Sequence, residues 1–60
     1  MTKKIIVLGG GESGTGAAVL AKVKGLDVFL SDSGLISENY KNILNKYDIE
    51  WEEGKHSEER

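Results

Sequence analysis

The sequence predicts an α/β fold: a Rossmann-like βαβαβ half of a parallel sheet, strands in spatial order 3-2-1, forming part of a larger domain. Three observations predict it. Short β-branched or aromatic runs alternate with stretches of helical periodicity, the pattern of parallel strands joined by crossover helices. The first run leads into Gly9-Gly10-Gly11-Glu12-Ser13-Gly14, which fits G-x-G-x-x-G between a strand and a helix. The second run ends on Asp32, eighteen residues past Gly14, where an acid reaches a ligand bound across such a loop.

Residues 3–8 lack polar alternation, as in a strand buried on both faces. Residues 12–24 follow as a helix. Ala17, Leu20, Ala21 and Lys24 fall at helical spacing, and Val19 and Val23 widen the apolar face. Glu12 or Ser13 stands at its start and Gly25 just past its end, while Lys22 and Lys24 suit the negative end of its dipole. Residues 27–31, with Val28-Phe29-Leu30, form the second strand. Residues 37–47 carry Tyr40, Ile43, Leu44 and Tyr47 at i, i+3, i+4 and i+7, a second helix. Residues 48–53, with Ile49 and Trp51 alternating against acids, form a third strand near a sheet edge. The far edge of the first strand is left open and hydrophobic, which favours pairing with another chain.

Sixty residues make one small domain at most, and a chain this short buries only roughly 60% of its unfolded surface. Without cysteine there is no disulfide or thiolate metal site, and one histidine, His56, excludes a histidine-rich one. Association or a longer chain is the remaining source of stability. The polar stretch from Glu52 ends on Ser57-Glu58-Glu59, a helix opening, so the chain is expected to be an N-terminal piece of something longer. A net charge of −2 and no basic run give no pull toward nucleic acid or anionic membrane. The four apolar residues behind Met1-Thr2-Lys3-Lys4 are too few for a secretory or membrane segment, so the cytoplasm is the expected location.

In the glycine string, Gly9 permits the tight turn, Gly11 lets a diphosphate approach the backbone, and Gly14 lets the helix pack close to the strand. The first N–H groups of the helix, at its positive dipole end, then face the anion. Ser13 adds a hydroxyl donor. Glu12 would repel a phosphate if it faced one, so it is expected to point to solvent or to serve the helix dipole. The alternative is a loop that only permits a tight turn. Residues 11–16 have the glycine spacing of a P-loop, but Ala17-Ala18 stand where Lys and Ser/Thr are required, which excludes ATP–magnesium binding of that kind.

Asp32 either contacts a ribose or base, with Ser33 assisting, or is a solvated member of the turn Ser31-Asp32-Ser33-Gly34; ligand contact is favoured. His56 lies in a polar tail and reads as solvated. Trp51, Tyr40 and Tyr47 read as packing residues before stacking platforms. Glu52, Glu53, Glu58 and Glu59 read as a wet face. No nucleophile–base pair or carboxylate dyad stands out, so no catalytic residue and no metal ligand is assigned.

The string Ile5-Ile6-Val7-Leu8-Gly9-Gly10-Gly11-Glu12-Ser13-Gly14, then Ala17-Ala18-Val19-Leu20-Ala21 and Val28-Phe29-Leu30-Ser31-Asp32-Ser33, resembles the N-terminal domain of the Mur ligase family. Within it the chain looks most like the branch that joins D-glutamate to UDP-N-acetylmuramoyl-L-alanine, as found in Bacteroidetes-like bacteria. The late stretch through Gly54-Lys55-His56-Ser57 is similar to that family's third strand and following turn. The resemblance implies three domains. The first binds the UDP part of the substrate, the second binds ATP and Mg2+ through a P-loop, and the third brings the amino acid. The reaction it implies is amide formation through an acyl phosphate in cytoplasmic peptidoglycan synthesis. Residues 1–60 would be an incomplete first domain, inactive alone, with no cofactor of its own. By the same resemblance Glu12 and Ser13 lie at the diphosphate, with Gly9, Gly11 and Gly14 shaping its loop, and Asp32 and Ser33 touch the uracil. The family often has a basic or polar residue after the Asp-Ser/Thr pair; Gly34 stands there, which removes a side-chain clamp on the uracil.

Two other readings compete. The same loop serves the NAD-binding segment of an oxidoreductase or a nucleotide-sensing regulatory domain, where Asp32 would accept from the adenosine ribose. Alternatively the segment binds no small ligand and associates through its open sheet edge. Fold analogy does not decide among them.

Overall fold

The computed structural model describes residues 3–54. The chain runs β1 (Lys4–Leu8), α1 (Glu12–Val23), β2 (Asp27–Ser31), α2 (Glu38–Lys46) and β3 (Glu50–Glu52). All strand pairs are parallel and the sheet order is β1-β2-β3, the expected 3-2-1 order seen from the other edge. Ile5, Ile6 and Val7 pair with Val28, Phe29 and Leu30, and Leu30 pairs with Trp51. His56 and the Ser57-Glu58-Glu59 helix opening lie outside the described residues.

The core joins β2 to both helices. Val28 and Leu30 pack with Ala18 of α1, Leu44 of α2, Ile36 before α2 and Ile49 after it. Tyr40, Tyr47 and Trp51 lie half-buried against this cluster, the packing role expected of them. β2 is the strand covered on both faces: Val28, Phe29, Leu30 and Ser31 are all buried. The expectation that the first strand is buried on both faces is corrected. As the sheet's edge strand, β1 alternates half-buried and exposed residues, leaving Ile6 46% and Leu8 71% accessible.

α1 is rotated from the expected stripe. Thr15 and Ala18 are its buried residues and Val19 and Ala21 of the expected face lie half-buried against the core, whereas Ala17, Leu20, Val23 and Lys24 are exposed. The reason is steric, because the helix begins so close to the sheet that only small residues fit between them. Its N-cap is Gly11, neither Glu12 nor Ser13. α2 turns Leu44, Tyr40 and Tyr47 of its expected stripe to the core but leaves Ile43 exposed, and the Ser37 hydroxyl caps its start by accepting from the Tyr40 N–H at 3.4 Å.

Both helices stop in the same manner. After α1, Gly25 N–H donates to the Lys22 carbonyl and Leu26 N–H to the Ala21 carbonyl. After α2, Asp48 N–H donates to Asn45 and Ile49 N–H to Leu44. These are Schellman closures, whose turning residue is left-handed. Gly25 takes φ +87° without cost, but Asp48 holds φ 57° with a side chain. This tight closure consumes residues 48 and 49, which is why β3 begins at Glu50 and not at 48; it ends at Glu52, one residue short of the expected 48–53.

Candidate functional site

The carboxyl ends of β1 and β2 meet at one rim of the sheet, and the glycine loop turns there. Gly9 N–H donates to the Ser31 carbonyl at 2.7 Å, which extends the β1–β2 ladder one residue. Gly9 then turns at φ +103°, a conformation glycine adopts freely. A Cβ on Gly14 would overlap the Gly9 carbonyl oxygen and approach Val7 Cγ1 at 3.6 Å. The close helix–strand approach expected of Gly14 is therefore present.

Gly11 caps α1, and nothing lies within 4 Å of where its Cβ would stand. The first α1 bond runs from Thr15 N–H to the Gly11 carbonyl at 2.9 Å, and no side chain caps the helix start. The N–H groups of Glu12, Ser13 and Gly14 thus precede the helical ladder, at the positive end of the dipole. Glu12 and Ser13 are exposed. Gly11 supplies open space, and the helix start beside it supplies N–H donors with no partner inside the helix.

Asp32 is the clasp of this rim. Its Oδ2 accepts from the Gly10 N–H at 2.7 Å, and its Oδ1 accepts from the Gly34 N–H at 2.8 Å. One carboxylate therefore ties the glycine loop to the β2–α2 loop. The turn role expected of Asp32 is present, with Oδ1 closing the turn at Gly34, and Oδ2 adds a hold on the glycine loop that the sequence did not indicate. Ser33 is exposed beside it.

Thr15 escaped the sequence reading. It is 3% exposed, and its hydroxyl donates to the Gly10 carbonyl at 3.2 Å. The available signal was its position three residues before Ala18, on the face that turns inward. Gly10 is thereby held at its N–H by Asp32 and at its carbonyl by Thr15.

The expectation that Glu52 and Glu53 form a wet face is corrected. Ser31 Oγ donates to Glu52 Oε2 at 2.7 Å. Glu53 accepts from the Ile36 N–H at 3.1 Å and from Lys41 Nζ, 3.0 Å from its Oε1 and 3.1 Å from its Oε2. The Lys41 bond and then the Ile36 N–H lower the Glu53 carboxyl below its ordinary range, and the Glu53 bond raises Lys41 above its own. These acids are drawn in because β3 ends beside the β2–α2 loop: Asp32 N–H donates to the Glu52 carbonyl at 3.1 Å and Gly54 N–H to the Gly34 carbonyl at 2.8 Å. Lys41 also lies 5.4 Å from the Trp51 ring centre, whose indole N–H donates to Asn45 Oδ1 at 2.9 Å.

Among the described residues no group of three metal-ligating side chains converges, and no helix is long and apolar enough to cross a membrane.

A parallel strand, a glycine turn and a helix start, with an acid from the next strand on the loop, define the Rossmann-like class of α/β domain. Residues 4–60 match the family of the MurD N-terminal domain, and the chain belongs to that family. It is 58% identical over its full length to the UDP-N-acetylmuramoylalanine--D-glutamate ligase of Christiangramia forsetii. Over 97% of its length it is 60% identical to the protein of that name from Bacteroides fragilis, and over 95% it is 42% identical to that of Chlorobium chlorochromatii. The chain spans 12–14% of the length of these relatives. No solved structure gives a significant match.

Proposed function

We propose that this chain is the incomplete first domain of an ATP-dependent ligase that joins D-glutamate to UDP-N-acetylmuramoyl-L-alanine, and that it holds the UDP part of that substrate. The observation that carries the reading is the uncapped start of α1 facing the open space at Gly11, within a chain whose relatives bear that ligase's name. The diphosphate would sit over Gly11, with Gly9 and Gly14 shaping the turn. The N–H groups of Glu12, Ser13 and Gly14 would donate to it, with the Ser13 hydroxyl adding one more donor. The uracil would lie on the Asp32–Ser33 side of the rim. Asp32 also serves the ligand indirectly, by keeping Gly10 in place.

In this reading ATP phosphorylates the substrate carboxylate, and the D-glutamate amine displaces phosphate from the acyl phosphate to form the amide. No residue of this segment takes part in that chemistry. ATP and Mg2+ do not fit here, because Ala17-Ala18 stand where a P-loop needs Lys and Ser/Thr, so their site is assigned to a separate domain. The reaction belongs to peptidoglycan-precursor synthesis in the cytoplasm.

The test is calorimetric titration of the full-length ligase with UDP-N-acetylmuramoyl-L-alanine and, in parallel, with NAD. Binding of the UDP compound alone supports the reading. Binding of NAD alone moves the chain among the dinucleotide-binding proteins.

A further inference from the structure

Residues 32–36 between β2 and α2 belong to no helix or strand, yet this loop carries the side chain on which the glycine loop rests. A Cβ built on Gly10 would fall 2.8 Å from Ile36 Cγ1, 3.1 Å from Ile36 Cδ1 and 3.2 Å from Leu30 Cδ2. Gly10 is therefore seated directly on Ile36, which is 4% exposed and part of the core. In a close-packed contact of this kind, a small displacement of one partner moves the other. The Ile36 backbone is held from outside its own loop, by the Glu53 carboxylate just past β3. Lys41 holds that carboxylate in turn from α2, with its Nζ 3.0 Å from the Glu53 oxygen that accepts from Ile36. The path runs from the end of β3 through Ile36 to Gly10, next to the residue that caps α1.

We propose that Glu53 is a positioning residue for the glycine loop: by fixing the Ile36 backbone it fixes the side chain beneath Gly10, and so presets the N–H groups at the start of α1 for a diphosphate. The ligand's identity rests on the UDP-substrate reading; the link from Glu53 to Gly10 does not. Glu53 touches neither the loop nor the space above Gly11. Its effect on binding is one of preorganisation, since a loop already in place loses less freedom when a ligand arrives.

The experiment compares Glu53→Ala and Glu53→Gln in the full-length ligase, using hydrogen–deuterium exchange without ligand and steady-state kinetics with it. In Glu53→Ala, the hydrogen-bonded amides within 8–14 and 35–37, those of Gly9, Gly10 and Ile36, are expected to exchange about fivefold faster, the loss of one ordinary hydrogen bond. Residues 17–23 and 41–46 should keep their wild-type rates. KM for the UDP substrate should rise by about the same factor, with kcat and KM for ATP unchanged. Glu53→Gln keeps an oxygen for the Ile36 N–H and should restore both readouts most of the way. Unchanged exchange at 8–14, or an equal increase throughout the domain, overturns the proposal. Should Glu53→Ala fail to fold, Glu53→Asp keeps the charge but shortens its reach; wild-type exchange at 8–14 in that variant overturns the proposal as well. Faster exchange at 8–14 in a protein that never binds the UDP compound would sink the functional reading and leave the positioning role standing.

Discussion

A methyl group at Gly14 would collide with the Gly9 carbonyl oxygen, a backbone atom that cannot turn aside. Gly14→Ala is therefore expected to cost about 3 kcal/mol, the upper end for overpacking, measured by denaturant unfolding. Three residues away, Gly11 faces open space at an ordinary φ of −77°. Gly11→Val puts a disfavoured residue at the N-cap of α1 and should cost about 1 kcal/mol in denaturant unfolding, well short of Gly14→Ala, yet block the proposed UDP substrate in calorimetry. Asp32→Ala removes acceptors from the Gly10 and Gly34 N–H groups and should cost about 1–3 kcal/mol as well as weaken binding. At this scale the glycines were legible because backbone sterics depend on little beyond the local chain. The double engagement of Asp32 was not, since its partner Gly10 lies 22 residues away and is brought near only by the strand pairing.

Helix rotation was the least legible property of the elements. Residues 17–24 are apolar on more than one side, so periodicity alone did not choose the buried stripe. The choice follows from Gly14, Thr15 and Ala18, whose small side chains allow the close approach. α2 has one polar side, and its stripe was readable at Tyr40, Leu44 and Tyr47, with Ile43 left at the margin. Its closure carries a testable strain: Asp48→Gly should raise stability by about 0.5–1 kcal/mol in thermal unfolding, because glycine takes the left-handed turn without penalty. The tie between α2 and the end of β3 has its own pH signature. Glu53 titrates below its ordinary range, so its contribution is present above that range and is lost as pH falls through the lowered value. Lys41 titrates above its ordinary range, so its contribution is full below that range and is lost as pH rises through the raised value. The stability gap between wild type and Glu53→Gln should be widest between these limits and close in acid, as read from denaturant midpoints across pH. The Glu38 contact at 3.7 Å adds little, since that carboxylate is 82% exposed.

Across the whole molecule the sheet is asymmetric. β2 is enclosed, while β1 offers Ile6 and Leu8 to solvent and, among the described residues, pairs on one side only. Strand order and parallel sense were legible because the handedness of crossover connections leaves few alternatives. Exposure of β1 was not, because a run such as Ile5-Ile6-Val7-Leu8 states that burial is wanted without naming what covers it. The isolated 60-residue chain should therefore show concentration-dependent association in sedimentation velocity, reduced in Leu8→Lys by a charge at the edge. Equal sedimentation of both chains at all concentrations would exclude edge pairing. The single tryptophan offers a further use of this architecture. Trp51 sits between the Lys41 ammonium and the Asn45 amide, and both contacts bear on its indole. Selective excitation of that ring makes the 60-residue chain its own optical probe. Its emission would report, without any attached dye, whether the Lys41 and Asn45 contacts persist when a nucleotide arrives two strands away.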